Sequence, residues 1–225
     1  MKCFEVPEDC CRCPRLVACR TSVTPKRSYR ADDYWNRPVP GFGDAGARIC
    51  LIGLAPGAHG ANRTGRPFTG DGAGDFMYPL LHRAGLASQA EAVHRQDGLE
   101  LNDLYITNAV KCVPPENQPK GSEFENCRIY LQNELDCLDK LRVLITLGTG
   151  AHRSLLHLLK SRRLIERLAD FPFGHGACFA LPDGRRLLGC YHTSRYNVQT
   201  GRIDKEMFLD ILGKAMKLAS GADSS

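Results

Sequence analysis

The chain has 225 residues, 43% hydrophobic and 24% charged, which is ample for a core in one domain or two small ones and excludes a disordered tail. Its apolar runs, such as 143–147, fall far short of a membrane span, and residues 1–8 are no signal peptide, so a cytoplasmic protein with no membrane contact is expected. Thirty Lys and Arg against 25 Asp and Glu leave a net charge of +5, too modest to demand a polyanionic partner.

From the N-terminus, residues 10–31 carry six basic side chains (Arg12, Arg15, Arg20, Lys26, Arg27, Arg30) and no acidic one, while 153–167 carry five against one. Each stretch is either a phosphate-facing patch or an ordinary solvated face. Eleven cysteines without an export signal favour reduced thiols, since an odd total leaves one unpaired in any disulfide scheme. Cys10 and Cys13 form a C-x-x-C, which turns two thiolates toward one centre, and Cys112 with Cys127 would complete four sulfur ligands. The alternative is that Cys127 is a core cysteine. Cys11, Cys19, Cys50, Cys137, Cys178 and Cys190 read as structural.

The first strand is 48–54 (RICLIGL), a short apolar run stopped by the Gly and Pro of APGAHG. A helix over 75–86, ended by Gly85, precedes a second strand at 103–110 (DLYITNAV) and the turn-rich CVPPENQPKG. The next helix opens on a capping box of Ser122 and Glu125, with Phe124, Cys127, Leu131, Leu135 and Leu138 on one face. Then come a third strand at 142–147 (RVLITL), a tight turn at 148–150 and a helix at 151–160. Segments 179–181 and 186–191 flank Pro-Asp-Gly as a hairpin or bent turn into the fourth core strand. The last helix is 204–218.

This alternation predicts an α/β fold: a single three-layer α/β/α domain whose central sheet has four largely parallel strands. Functional residues of such a sheet belong in loops at the carboxyl ends of its strands. Cys112 falls just past the second strand and Cys127 in the first turns of the following helix, so a short loop can bring both to one point.

Three loops lie at strand ends: 53–71 (GLAPGAHGANRTGRPFTGD), 107–119 (TNAVKCVPPENQP) and 191–201 (YHTSRYNVQTG). Together with CRCPRLVACR and YWNRPVPGFGD they resemble the uracil-DNA glycosylase superfamily, specifically its iron-sulfur b class, or fifth family. The resemblance runs over nearly the whole chain. It implies a 4Fe-4S cluster held by Cys10, Cys13, Cys112 and Cys127, with 1–47 as the cluster-binding segment and 48–220 as the α/β core. It implies excision of uracil from DNA by a monomer working at the nucleoid. Four thiolates alone would equally hold zinc, so the cluster rests on the resemblance.

A base inside a duplex must be flipped into a pocket, and the pocket must recover the unstacking cost. Phe68 is the stacking platform, or else a buried anchor of its loop. Asn108 presents an acceptor and a donor for uracil N3–H and O4, or else caps a strand end. His192 is placed to donate to O2 as negative charge develops on the base, helped by the backbone of Gly57 or Ala58. The carboxylate or amide usual after the first-motif glycines is absent. The b-class resemblance supplies Asp71 to orient water or stabilise the sugar cation, Asn117 to position the water, and Asn197 from the third loop. Thr193 replaces a proline common in the superfamily, which suggests a less rigid loop. Ser194, Arg195 and Tyr196 form a DNA-contacting wedge, with Arg202 and the basic N-terminal stretch on phosphates.

Two competing readings are a zinc-stabilised, non-catalytic nucleic-acid-binding module and a phosphohydrolase using GLAPGAHGANRTG as a phosphate cradle. That loop lacks both the P-loop ending and the dinucleotide fingerprint.

Overall fold

The computed structural model describes residues 3–29 and 33–221; Arg30 of the basic stretch lies outside them. The strands are β1 (Phe42–Gly43), β2 (Ile49–Gly53), β3 (Leu104–Asn108), β4 (Val143–Leu147), β5 (Cys178–Ala180) and β6 (Arg186–Cys190). The helices are α1 (Pro14–Thr21), α2 (Ala61–Thr64), α3 (Gly72–Arg83), α4 (Gly121–Cys137), α5 (Gly148–Ser161), α6 (Arg195–Gln199) and α7 (Lys205–Ala219).

The sheet has six strands in the order β1-β3-β2-β4-β6-β5, which corrects the expected four. The predicted four form its parallel centre, β3-β2-β4-β6. The additions are antiparallel edges: β1 pairs Phe42 with Ile106, and β5 pairs Phe179 with Leu187 across the Pro-Asp-Gly turn. Both are short, two and three residues, and owe their conformation to the strand they lean on.

Every residue of β2, β3 and β4 is buried, as a parallel sheet covered on both faces requires. Alternation divides their side chains. Ile49, Leu51, Ile106 and Ile145 pack against Met77 and Leu81 of α3 and Phe208 and Leu212 of α7. Cys50, Ile52, Tyr105 and Leu144 pack against Leu131 and Leu135 of α4 and Leu155 and Leu159 of α5. The sheet therefore lies between two helical layers. No helix of the described residues is long and apolar enough to cross a membrane.

Three helix starts lie two or three residues before their expected positions. Helix α3 starts at Gly72, because the Asp71 side chain accepts from the Ala73 and Gly74 N–H groups. Helix α4 starts at Gly121, two residues before the predicted box would place it; Glu123 accepts the Lys120 N–H at 2.7 Å and is itself fixed by Arg15. Helix α5 follows β4 with no intervening turn, the reversal being absorbed by Gly148 at φ +83°.

Strand β2 leads across to β3 on one side of the sheet and β4 leads to β6 on the other, so the loops leaving β2 and β4 diverge. Open α/β sheets bind ligands in the crevice that this divergence creates.

Candidate active site

A cleft of about 500 Å³ opens there, and it is lined from all four parallel strands: Leu54 to Gly57 after β2, Asn108 at the end of β3, Gly148 and Gly150 after β4, and His192 after β6. Phe68, Asp71, Asn117, Ser194 and Arg195 also line it. Ala58, Asn197, Tyr196 and Arg202 do not.

Asn108 is 3% exposed, and its Oδ1 has no hydrogen-bond partner among the described residues. A buried amide oxygen left unpaired costs about 1–3 kcal/mol, so the position awaits a donor. Asn108 stands in register with Gly53. A Cβ at Gly53 would come 2.4 Å from Asn108 Oδ1 and 2.5 Å from Phe68 Cζ. Amide and ring thus converge over a strand residue that has no side chain.

Phe68 is nearly buried at φ +52°, a conformation that a bulky residue adopts only when its surroundings impose it. Tyr78 donates to the Pro67 carbonyl at 2.9 Å, and Thr64 to the Thr69 carbonyl at 3.2 Å. Helix α3 closes from below, where a Cβ at Gly74 would strike the Phe68 carbonyl oxygen. Arg66 donates to Thr69 and pairs with Asp97 at 2.6 Å, both nearly buried. Burial pushes the Asp97 carboxyl up, but hydrogen bonds from Arg66, Leu99 and Val93 and the Arg66 charge outweigh it and hold it well below the usual range.

His192 sits with its ring centroid 6.1 Å from that of Phe68. Burial pulls its pKa below the ordinary value, partly opposed by the Asp71 charge, so the imidazole is neutral near pH 7. Asn197, read from sequence as a substrate contact, instead donates from Nδ2 to the His192 carbonyl at 2.8 Å. Ser194 caps α6 by accepting the Asn197 N–H. These ties do the work expected of the missing proline; Thr193 is fully buried, with its hydroxyl unpartnered among the described residues. Arg195 and Tyr196 project, Tyr196 at 72% exposure. Arg202 lies over the Tyr191 ring at 4.8 Å.

Asp71 uses Oδ1 to cap α3 and turns Oδ2 toward Gly57 and Gly60, where a Cβ would stand 3.2 and 2.1 Å away. Asn117 and its neighbour Glu116 both adopt left-handed backbone, φ +57° and +56°. That turn brings Asn117 to the cleft mouth.

The basic stretches divide. Arg15 is partly exposed but paired with Glu123 at 2.7 Å, and Arg20 is buried against a cysteine. Lys26 is exposed at a basin beside the cleft. Arg162 pairs with Asp136, while Arg153 joins Arg128 and His157 in a hollow that meets the cleft at Gly150.

Cys10, Cys13, Cys112 and Cys127 line one small enclosed pocket behind the β3 loop. Each sulfur has a polar neighbour: Tyr130 Oη at 3.1 Å for Cys10, Asn126 Nδ2 at 3.5 Å for Cys13, an Arg20 guanidinium N–H at 3.1 Å for Cys112, and the Lys111 N–H at 3.5 Å for Cys127. Among the described residues, no three His, Cys, Asp or Glu groups close around a single ion. Two features escaped sequence reading. Cys3 and Cys137 form a disulfide, and a buried ion pair joins Lys111 Nζ to Glu134 Oε2 at 2.7 Å, both 1% exposed. Thr107 and the Gly41 N–H also donate to Glu134. Lys111 interrupts the apolar run between Val110 and Val113, and Glu134 shares a helix face with Leu131; those misplaced charges were the available signal.

A doubly covered parallel sheet with a polar, partly aromatic cleft at its carboxyl edge is the architecture of an α/β enzyme that takes its ligand at the strand ends. The sequence profile of the Uracil DNA glycosylase superfamily matches residues 40–215, and the chain belongs to that superfamily. Within it, the chain is 52% identical over 211 residues to the Type-5 uracil-DNA glycosylase of Thermus thermophilus, covering 93% of this chain and 94% of that one. It is 42% identical over 207 residues to the Type-5 enzyme of Pyrobaculum aerophilum, covering 92% and 88%. The Type-4 enzyme of the latter organism matches at 34% over 147 residues, covering 65% and 64%.

Proposed function

We propose that the protein is a monofunctional uracil-DNA glycosylase of base-excision repair, which hydrolyses the N-glycosidic bond of uracil in DNA and leaves an abasic site. The observation that carries the site assignment is Asn108. Its buried, unpartnered oxygen faces the cleft beside Phe68, where a flipped uracil stacks on the ring and gives its N3–H to Oδ1 while Nδ2 donates to O4.

As the bond breaks, positive charge grows on the sugar and negative charge on the base. Neutral His192 donates a hydrogen bond to the departing base oxygen, its ring held by the Asn197 tie to its carbonyl; the Gly57 backbone also lines the cleft, whereas Ala58 lies outside it. Asp71, anchored at the N-terminus of α3, where an anion is favoured, faces the sugar through Oδ2 and stabilises its charge. Asn117 holds the attacking water. Arg195 and Tyr196 fill the gap left by the flipped nucleotide, with Ser194 and Arg202 on the backbone. The cleft volume leaves room for a purine, and this reading includes hypoxanthine as a second substrate.

The four cysteines line one pocket and would hold a 4Fe-4S cluster, as the resemblance to the b class implies; four thiolates alone would equally hold zinc. Burial pushes the Cys127 thiol up to about 12 and the Cys112 thiol upward, so thiolates there need a cationic partner. Polar neighbours on all four sulfurs suit that state. The cluster, when bound, supplies the bond between the 1–47 segment and the 48–220 core of one domain; excision runs through the cleft residues alone. The protein acts as a cytoplasmic, nucleoid-associated monomer.

The test is a labelled duplex with one uracil opposite guanine, treated with enzyme and then alkali, alongside His192→Ala and a hypoxanthine duplex. Strand breakage by the wild type and its loss in the variant support the assignment; uracil left intact by cluster-loaded protein overturns it.

A further inference from the structure

The cleft does not end at Arg195. Asp71, Gly72 and Arg195 are shared with a basin that also holds Lys26, Tyr29 and His59, and the Arg63 guanidinium lies 4.1 Å from the centre of the Tyr29 ring. Arg63 in turn borders a hollow lined by Trp35, Arg37 and Arg95, with Asp33 as its single carboxylate. Two hollows rich in basic and aromatic side chains, the first also lined by Asp71 and Asp75 and the two linked by Arg63 over Tyr29, therefore lead from the cleft around α2.

Its far end is built rather than incidental. The Arg95 guanidinium stacks 4.2 Å over the Trp35 indole, and Arg37 lies at 5.1 Å. Arg37 also pairs with Glu8, whereas no carboxylate among the described residues pairs with Arg95. Stacking fixes the plane of a guanidinium and leaves its N–H edge free for an oxyanion. The segment that presents Arg95 is held by Asp97, which accepts the N–H groups of Val93, His94 and Leu99. Asp97 is anchored by Arg66, in the loop that carries Phe68. The arginine and the base platform thus share one rigid support.

We propose that this surface is a phosphodiester track: the DNA strand leaving the cleft runs over Lys26 and Arg63, and Arg95, held on Trp35, takes one of its phosphates. The inference rests on the DNA-glycosylase reading and extends the protein's footprint beyond the cleft. Paired to Glu8, Arg37 serves to back the indole and contributes no phosphate contact.

Trp35 is the only tryptophan of the chain, so its fluorescence reports this place alone. The full chain is titrated with a duplex carrying a tetrahydrofuran abasic-site analogue, which the enzyme cannot turn over. Indole emission is expected to change, and iodide quenching to fall, in step with the anisotropy of the labelled duplex. Arg95→Ala is expected to weaken binding several-fold and to lower the slope of log affinity against log salt by about 0.9, the loss of one phosphate contact. Arg95→Lys restores the slope. Emission and quenching unchanged through saturation, or an Arg95→Ala slope equal to that of the wild type, would overturn the track. Uracil excision by the same wild-type preparation assigns a negative result to the track and not to the glycosylase reading.

Discussion

Gly53→Ala is the sharpest test of the base pocket, because it adds one methyl where the two base-contacting groups converge. The added Cβ would lie 2.4 Å from Asn108 Oδ1 and 2.5 Å from Phe68 Cζ, against ordinary contacts of about 3.5 Å. Each group must therefore retreat by about 1 Å. Both are buried, and the space open to them is the cleft itself, so the retreat displaces the base. A misplacement of about 1 Å costs roughly 100-fold in rate, equivalent to about 2.7 kcal/mol. Gly53 is a strand residue whose φ is not positive, so alanine suits its backbone and the fold loses only an overpacking cost of about 1–3 kcal/mol. The assay is single-turnover uracil excision at saturating enzyme, with a thermal melt to confirm folding. Excision at the wild-type rate by a folded variant would show that Asn108 and Phe68 do not hold the base.

Lys111→Met strands the Glu134 charge in the core and should destabilise by about 3–5 kcal/mol; adding Glu134→Gln should recover at least half, read as the midpoint of denaturant unfolding, and no recovery would mean packing dominates. Asp97 has a folded pKa below its unfolded value, so its contribution is full above the ordinary carboxylate range and is lost progressively below that range, as pH falls toward the depressed folded pKa. Asp97→Asn should therefore cost about 3 kcal/mol at neutral pH, and its melting deficit should shrink below about pH 4; a deficit independent of pH would contradict the assignment. Because burial lowers the His192 pKa, the neutral donor persists below the usual titration point, and the acid limb of single-turnover excision should lie below about pH 6.5. His192→Gln should remove that limb, and an unchanged limb would place it on another group.

The parts of the fold that declared themselves in sequence are those governed by local pattern. RICLIGL, DLYITNAV and RVLITL are short apolar runs bounded by breakers, and each became a central strand. The edge strand β1 has no such pattern; Phe42 and Gly43 are extended because β3 offers them partners. Helices α2 and α6 span four and five residues, too few for periodicity to show, and exist through their caps and neighbours. At the site, loop position at strand ends together with the family resemblance named Phe68, Asn108, Asp71, Asn117 and His192, and the five line one cleft. Loop position could not say that Asn197 would turn back to the His192 carbonyl, which depends on the direction of a side chain in a short helix. The Lys111–Glu134 pair and the Cys3–Cys137 bond join residues 23 and 134 positions apart, and no local rule carries such pairings.

The Cys3–Cys137 bond sits seven residues before Cys10 and ten residues after Cys127. It closes the chain into a ring, and both halves of the sulfur quartet lie within a short tether of the knot. The N-terminal arm is thereby tied to the end of α4 whether or not the four sulfurs hold a group. Cys10 and Cys13 stay confined near Cys112 and Cys127 at the effective concentration of a short linker, in the millimolar range. Bringing the four sulfurs together is then a unimolecular closure rather than a search.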